Sequence, residues 1–225
     1  LYNSNATLFF NNTAIYTPVS DNFVVAGGRG TNTLIYSYDG INWVANGGSI
    51  FTARVNTVFW NGSLWVAGGD GTNTLAYSSD GITWTPNGAS IFTTTATGIS
   101  WSGSLWVAVG SGTNTIATSS NGTSWTPATN TFSSCSGICW NGSIFVVVGN
   151  TPFIAYSSNG TSWTPIVGSP FTSIVRTVAW NGQIFVAGGS GTNTLATSKD
   201  GITWTGVGNI LFSTCRGIAW NGTIW

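Results

Sequence analysis

Two tryptophan series and a recurrent pair of glycine turns predict an all-β fold, a β-propeller of four-stranded antiparallel blades. The first series is Trp43, Trp84, Trp125, Trp163 and Trp204; the second is Trp60, Trp101, Trp140, Trp180 and Trp220. Both step by 38 to 41 residues, the length of one propeller blade. Asn-Gly recurs at 61–62, 141–142, 181–182 and 221–222, and Asp-Gly or Asn-Gly at 39–40, 80–81, 121–122, 159–160 and 200–201. Tight hairpins of type I′ need φ > 0 at both central residues, which these pairs tolerate.

The unit running from Thr97 to Pro127 shows the elements in order. Residues 97–101 read as a first strand, and Ser102-Gly103 turns into a second strand at 105–109. A longer loop at 111–114 leads to a third strand at 115–119. Asn121-Gly122 then turns into a fourth strand at 124–127. The ends follow from alignment. Residues 1–19 fall without gaps on 83–101, placing Tyr2 on Trp84, Phe10 on Phe92 and Ala14 on Ala96. Residues 1–5 are therefore expected as the outer strand of a shared blade, 14–205 as five full blades, and 215–225 as the start of the shared blade from the other end. This predicts one domain over 1–225, with six blades closed by strands from both termini so that no sheet edge stays exposed. A seven-blade parent is the alternative. The chain begins without Met or a leader pattern and ends inside a strand pattern, as suits a mature product or part of a longer chain.

Composition excludes several function classes. Charged residues make up 4%: Arg29, Arg54, Arg176, Lys199 and Arg216 against Asp21, Asp39, Asp70, Asp80 and Asp200. Five cations cannot form the dense basic patch a nucleic-acid binder needs. A hydrophobic content of 42% suits a packed core and argues against disorder. No apolar run approaches the ~20 residues of a membrane helix, so no membrane insertion is expected. His and Glu are absent, which removes the usual acid–base pair and the base that would activate a Ser or Thr nucleophile. The reading is of a non-enzyme without cofactor or metal. Cys135 and Cys139, four apart on one strand, are ~13 Å apart and cannot bridge. With Cys215 they are expected as three reduced, mostly buried thiols. There is no CxxC and no His, so no zinc site is expected.

The turn Ser-x-Asp-Gly-x-x-Trp stands at 37–43, 78–84 and 198–204, and with Asn for Asp at 119–125 and 157–163. It resembles the Asp-box of the sialidase-like propellers, the bacterial neuraminidase repeat, in a form one residue shorter between Asp and Trp. In that family the box lies between the third and fourth strands. Asp39, Asp80, Asn121, Asn159 and Asp200 are expected as turn caps, with Trp43, Trp84, Trp125, Trp163 and Trp204 packed between blades. Two of the five boxes carry Asn, which removes the charge a calcium ion wants. A family sialidase needs three Arg, a Tyr with a Glu, and an Asp; without Glu that machinery is incomplete. The longer pattern Trp-Asn-Gly-Ser-Leu-Trp-Val-Ala-Gly-Gly at 60–69, with Gly-Thr-Asn-Thr at 71–74, is similar to Trp-rich repeat proteins of bacterial surfaces and giant DNA viruses. That likeness implies an extracellular, cell-surface or virion location.

Other motifs read as structure. The Gly-x-Gly-Thr-Asn-Thr loops at 28–33, 69–74, 110–115 and 189–194 lack the Lys of a phosphate loop and precede strands. The remaining tryptophans, Trp65, Trp106 and Trp225, share one second-strand position with Phe145 and Phe185 and read as core. Sugar stacking with one site per blade is the other reading of such a repeated Trp. Glycosylation sequons occur at Asn5, Asn11, Asn61, Asn121, Asn141, Asn159 and Asn221, five of them in tight turns. The topology sorts the charges. Arg29, Arg54, Arg176, Arg216 and Asp70 fall on the top face, with the two–three loops. Asp21, Asp39, Asp80, Asp200 and Lys199 fall at the bottom turns. Arg54, Arg176 and Arg216, with Arg29, are the candidate ligand-binding residues, since guanidinium pairs with carboxylate or sulfate. Plain solubilising charge is the competing account. The expected function is a non-enzymatic binding or scaffold module whose partners are glycans or other proteins of a surface assembly. A purely structural virion component and a degenerate glycoside hydrolase that depends on Asp70 are the alternatives.

Overall fold

The computed structural model describes residues 23–46, 50–129, 132–151, 153–208 and 212–225, together with the backbone of 8–10 and 13–15. β1 (Leu8–Phe10) and β2 (Thr13–Ile15) pair antiparallel. β3 (Val24–Gly27), β4 (Leu34–Ser37) and β5 (Trp43–Ala45) form a three-stranded sheet. Four four-stranded antiparallel units follow. The first is β6 (Arg54–Trp60), β7 (Trp65–Asp70), β8 (Leu75–Ser78) and β9 (Thr85–Pro86). The second is β10 (Thr95–Trp101), β11 (Trp106–Ser111), β12 (Ile116–Ser119) and β13 (Thr126–Pro127). The third is β14 (Ser134–Trp140), β15 (Phe145–Asn150), β16 (Ile154–Ser157) and β17 (Thr164–Pro165). The fourth is β18 (Val175–Trp180), β19 (Phe185–Gly189), β20 (Leu195–Ser198) and β21 (Thr205–Gly208).

The strands and turns read from the repeats are therefore present. Fourth strands are two residues long where the second residue is Pro86, Pro127 or Pro165. As outer edge strands they tolerate proline, and the next N–H still bonds inward, as from Asn87 to Leu75 O at 2.8 Å. Each first strand also carries a bulge that the repeat pattern did not show. The register shifts between Val55 and Thr57, Ala96 and Gly98, Cys135 and Gly137, and Val175 and Thr177. Asn56, Thr97, Ser136 and Arg176 are thus the extra residues, and such bulges are common at barrel rims.

Among the described residues the sheets do not close into a six-blade ring; they stand in an open row. Residues from 14 onward are expected as the innermost strand of the first full blade, yet β2 pairs with β1, and β3 leads its sheet. Residues 13–19 also depart from the repeat in sequence, with Pro18 and Val19 where other units end their first strand on Trp. Residues 215–225, expected to open the shared blade, form no ladder; a single bridge joins Ser190 to Thr214. The expected outer strand at 1–5 lies outside the described residues.

The core is a series of layers between neighbouring units rather than one centre. Val66, Leu75, Phe92, Ile99, Trp106 and Ala117 form one layer, and Val107, Ile116, Phe132, Cys135, Phe145 and Val147 the next. The connections into the full units bury Phe51, Phe92, Phe132 and Phe171. Second-strand rings stack on first-strand tryptophans, as in Trp101–Trp106 at 5.0 Å and Trp140–Phe145 at 4.4 Å. The three cysteines are free, as expected, and burial pushes the Cys139 thiol up to about 12.

Candidate functional site

The turns between third and fourth strands are built alike. Ser78 Oγ donates to Asp80 Oδ1 at 2.8 Å and accepts from the Gly81 N–H at 2.8 Å. Oδ1 then accepts the N–H groups of Ile82 and Thr83 at 2.8 and 2.7 Å. Asn121 and Asn159 make the same bonds with Oδ1: Thr123 and Ser124 at 2.9 Å each, Thr161 and Ser162 at 3.0 and 2.9 Å. A neutral amide does the carboxylate's work, so these side chains cap turns. The indole N–H of Trp84, Trp125, Trp163 and Trp204 donates to the carbonyl of its turn glycine. Backbone N–H donors, Asn42 foremost, hold the Asp39 carboxyl well below the usual range, and those of Thr203 and Ile202 bring Asp200 to about 2. Burial pushes Asp80 up, but its turn donors outweigh it and leave it lowered.

The Gly-Thr-Asn-Thr loops are clamps. Asn73, Asn114 and Asn193 donate through Nδ2 to the carbonyls of Ile50, Ile91 and Pro170 at 2.7, 2.8 and 2.7 Å. The N–H groups of Thr72, Thr113 and Thr192 donate to Thr52, Thr93 and Thr172 at 3.1, 2.9 and 2.9 Å. Each loop is thereby tied to the connection that enters its own unit.

The arginines expected on the top face divide in two. Asp70 accepts from Arg54 Nε at 2.6 Å and Asn56 Nδ2 at 2.8 Å, and from the Thr95 hydroxyl. Burial raises its carboxyl, but the bonds from Thr95, Asn56 and Arg54 prevail and lower it. A backbone bridge sets Arg29 opposite Arg54, and a groove of ≈ 550 Å³ is lined by Arg29, Gly30, Thr52, Ala53, Arg54 and Asp70. Arg54–Asp70 is the one ion pair among the described residues. Arg176 sits on β18, with β10 and β14 between it and β6 in the row. Its Nε is buried without a hydrogen-bond partner. Other bulge side chains reach the next unit: Asn56 donates to Ala96 O at 3.0 Å, and Thr97 to Cys135 O at 2.8 Å. Arg216 holds the same repeat position on the segment after β21. That segment docks on β19, with the Cys215 N–H donating to Gly189 O at 2.8 Å. The structure thus groups Arg29 with Arg54, and sets Arg176 and Arg216 at equivalent places on neighbouring segments. The sequence signal it adds is the bulge position, visible only once the register is known.

No family model matches the chain, and no curated relative matches it. Solved structures do. A GH74 enzyme of Niastella koreensis matches with TM-score 0.60 and 21% identity, over 85% of this chain and 30% of its own. An ancestral GH74 enzyme matches with TM-score 0.62 and 16% identity, over 86% and 30%. The computationally designed Ika8 protein matches with TM-score 0.65 and 15% identity, over 89% and 63%. The chain therefore spans less than a third of the GH74 structures' length. At these identities the likeness is one of fold, and the GH74 neighbours are β-propellers. No helix among the described residues is long and apolar enough to cross a membrane.

Proposed function

We propose that the chain is a non-enzymatic binding and scaffold module of the Asp-box type, displayed on a cell or virus particle, that takes anionic glycans on its arginine-bearing top face. The observation that carries the reading is Arg176, whose buried Nε has no partner, with Arg216 at the matching position beside it. A guanidinium without an acid is a donor fork awaiting a carboxylate or sulfate. The carboxylates support the non-enzymatic part. Asp39, Asp80 and Asp200 cap turns, and Asp70 is bound to Arg54, Asn56 and Thr95. Each of these four is engaged in its own local hydrogen bonds, whereas glycoside hydrolysis uses two carboxyl groups that flank the scissile bond.

A glycan array carrying sialylated, sulfated and uronic-acid glycans tests the reading. Selective binding is expected, weakened about tenfold or more when Arg54, Arg176 and Arg216 are all changed to Ala, since a bond to a charged group contributes roughly 1.5–3 kcal/mol. A blank array, or undiminished binding by the triple variant, overturns it. Turnover of a glycan that is lost in Asp70→Asn would instead establish the hydrolase alternative.

A further inference from the structure

We propose that residues Thr214–Trp220 supply the innermost strand that the β3–β4–β5 sheet lacks among the described residues, closing the row into a five-bladed ring within one chain. The two ends of the row are the two halves of an interface the chain already builds four times. Turn glycines Gly81, Gly122, Gly160 and Gly201 are buried on the preceding unit. A Cβ there would stand 2.7 Å from Phe23, 2.6 Å from Leu64, 2.7 Å from Leu105 and 2.8 Å from Ile144. The next seat in that series is Ile184, which lines an open groove with Thr197, Ser198, Lys199, Asp200, Thr203 and Thr205. Among the glycines of the third-to-fourth-strand turns, the one without a seat is Gly40, with nothing within 4 Å. Beside it Ile41 is 81% exposed and Trp43 41%, against 8% for Trp84. Phe212, next after Phe51, Phe92, Phe132 and Phe171, is 39% exposed where those four are buried.

The missing strand matches as well. In every four-stranded unit the glycine two residues after the second-strand alanine or valine abuts its own first strand. Gly69, Gly110, Gly149 and Gly189 leave no room for a Cβ against the carbonyls of Arg54, Thr95, Ser134 and Ile174, whereas Gly28 has nothing within 4 Å. Among the described residues β3 pairs only with β4. Meanwhile Thr-Cys-Arg-Gly-Ile-Ala-Trp at 214–220 keeps the first-strand pattern that 13–19 breaks with Pro18. It also docks on the fourth full unit as β6 docks on β3. The Cys215 N–H bonds Gly189 O at 2.8 Å as the Val55 N–H bonds Gly28 O at 2.9 Å, and the Ser190–Thr214 bridge repeats Arg29–Arg54. By the register of β10 on β11, Thr214 faces Arg29, Cys215 faces Gly28, Ile218 faces Ala26 and Trp220 faces Val24. Trp220 then exchanges its present neighbour Trp225, 5.3 Å away, for the exposed Val24. Five blades lie within the range propellers adopt. The ring would set Arg176, Arg216 and Arg54 on three consecutive innermost strands around one mouth, though the closure stands whatever that mouth binds.

Directly opposed residues of antiparallel strands have Cα atoms about 4.5–5.5 Å apart, within disulfide reach. The full chain carrying Val24→Cys and Trp220→Cys is oxidised and mapped by mass spectrometry. A 24–220 link inside monomers is expected. No link, or links only between chains, overturns the proposal, the latter pointing to strand exchange between copies. A second reading uses melting temperature in the otherwise native chain. Gly40→Val is expected to lower it as much as Gly122→Val, because closure seats Gly40 at Ile184. Gly88→Val supplies the backbone cost alone, since Gly88 has φ +73° and open space around it. A drop for Gly40→Val no larger than that of Gly88→Val also overturns closure.

Discussion

At the scale of single residues, the turn caps show that geometry and charge are separable here. Asp80 and Asn121 accept the same pair of backbone N–H donors through one oxygen, so the second carboxylate oxygen is dispensable. The triple variant Asp39→Asn, Asp80→Asn, Asp200→Asn is expected to fold and to keep its neutral-pH melting temperature within a few degrees. Its acid behaviour should differ from the parent's. The folded carboxyls lie below the unfolded value of about 3.9, with Asp200 at about 2. Their stabilisation is therefore complete above about pH 4 and lost as pH falls through the folded values. Melts from pH 7 down to pH 2 should show a shallower acid decline in the triple variant, Asp70 supplying what remains. Equal declines would mean the caps are not the acid-sensitive groups. The turn residues were legible in the sequence because their chemistry is local. The isolation of Arg176 was not, since whether a guanidinium meets an acid depends on which units become neighbours.

Among elements, the large buried side chains sit between units rather than inside any one sheet. Trp106 is 1% exposed and lies between β6–β9 and β10–β13, against Val66, Phe92 and Phe59. Its replacement by Ala is expected to lower unfolding free energy by about 3–5 kcal/mol, read by denaturant titration. The equivalent change at Trp225, 38% exposed at the end of the row, should have a much smaller effect. Similar losses at both sites would contradict the layered core. Strand order and turn placement were readable because alternation and Asn-Gly pairs act over a few residues. The bulges were not, because they arise where one first strand meets the next: a Cβ on Gly98 would lie 3.3 Å from the Gly137 Cα. Repeat alignment also treated residues 13–19 as one more first strand, although Pro18 and Val19 replace the residues that end the other first strands on Trp.

For the whole molecule, repeat counting yields the kind of architecture but not how its ends meet. Counting assigns 215–225 to a sixth unit, while packing shows only that Thr214 and Cys215 continue the row beyond β21. The charge sorting is an expectation at this scale, resting on a topology that sends the two–three loops and the tight turns to opposite ends; Asp21 lies outside the described residues. A top face bearing Arg29, Arg54, Arg176 and Arg216 beside the single Asp70 should bind a sulfated resin. Retention should fall several-fold as salt rises from about 0.05 to about 0.5 M, since the Debye length shrinks from over 10 Å to a few. Salt-independent retention would assign it to stacking on exposed rings. The bulges add a consequence of another kind. Each first strand holds one residue that its own ladder does not count, and it always falls at the same level: Asn56, Thr97, Ser136 and Arg176. The repeats agree almost everywhere that packing demands it and differ here. The fold therefore spells one variable letter per unit, used as a rivet to the next unit at Asn56 and Thr97 and left unspent at the buried Nε of Arg176.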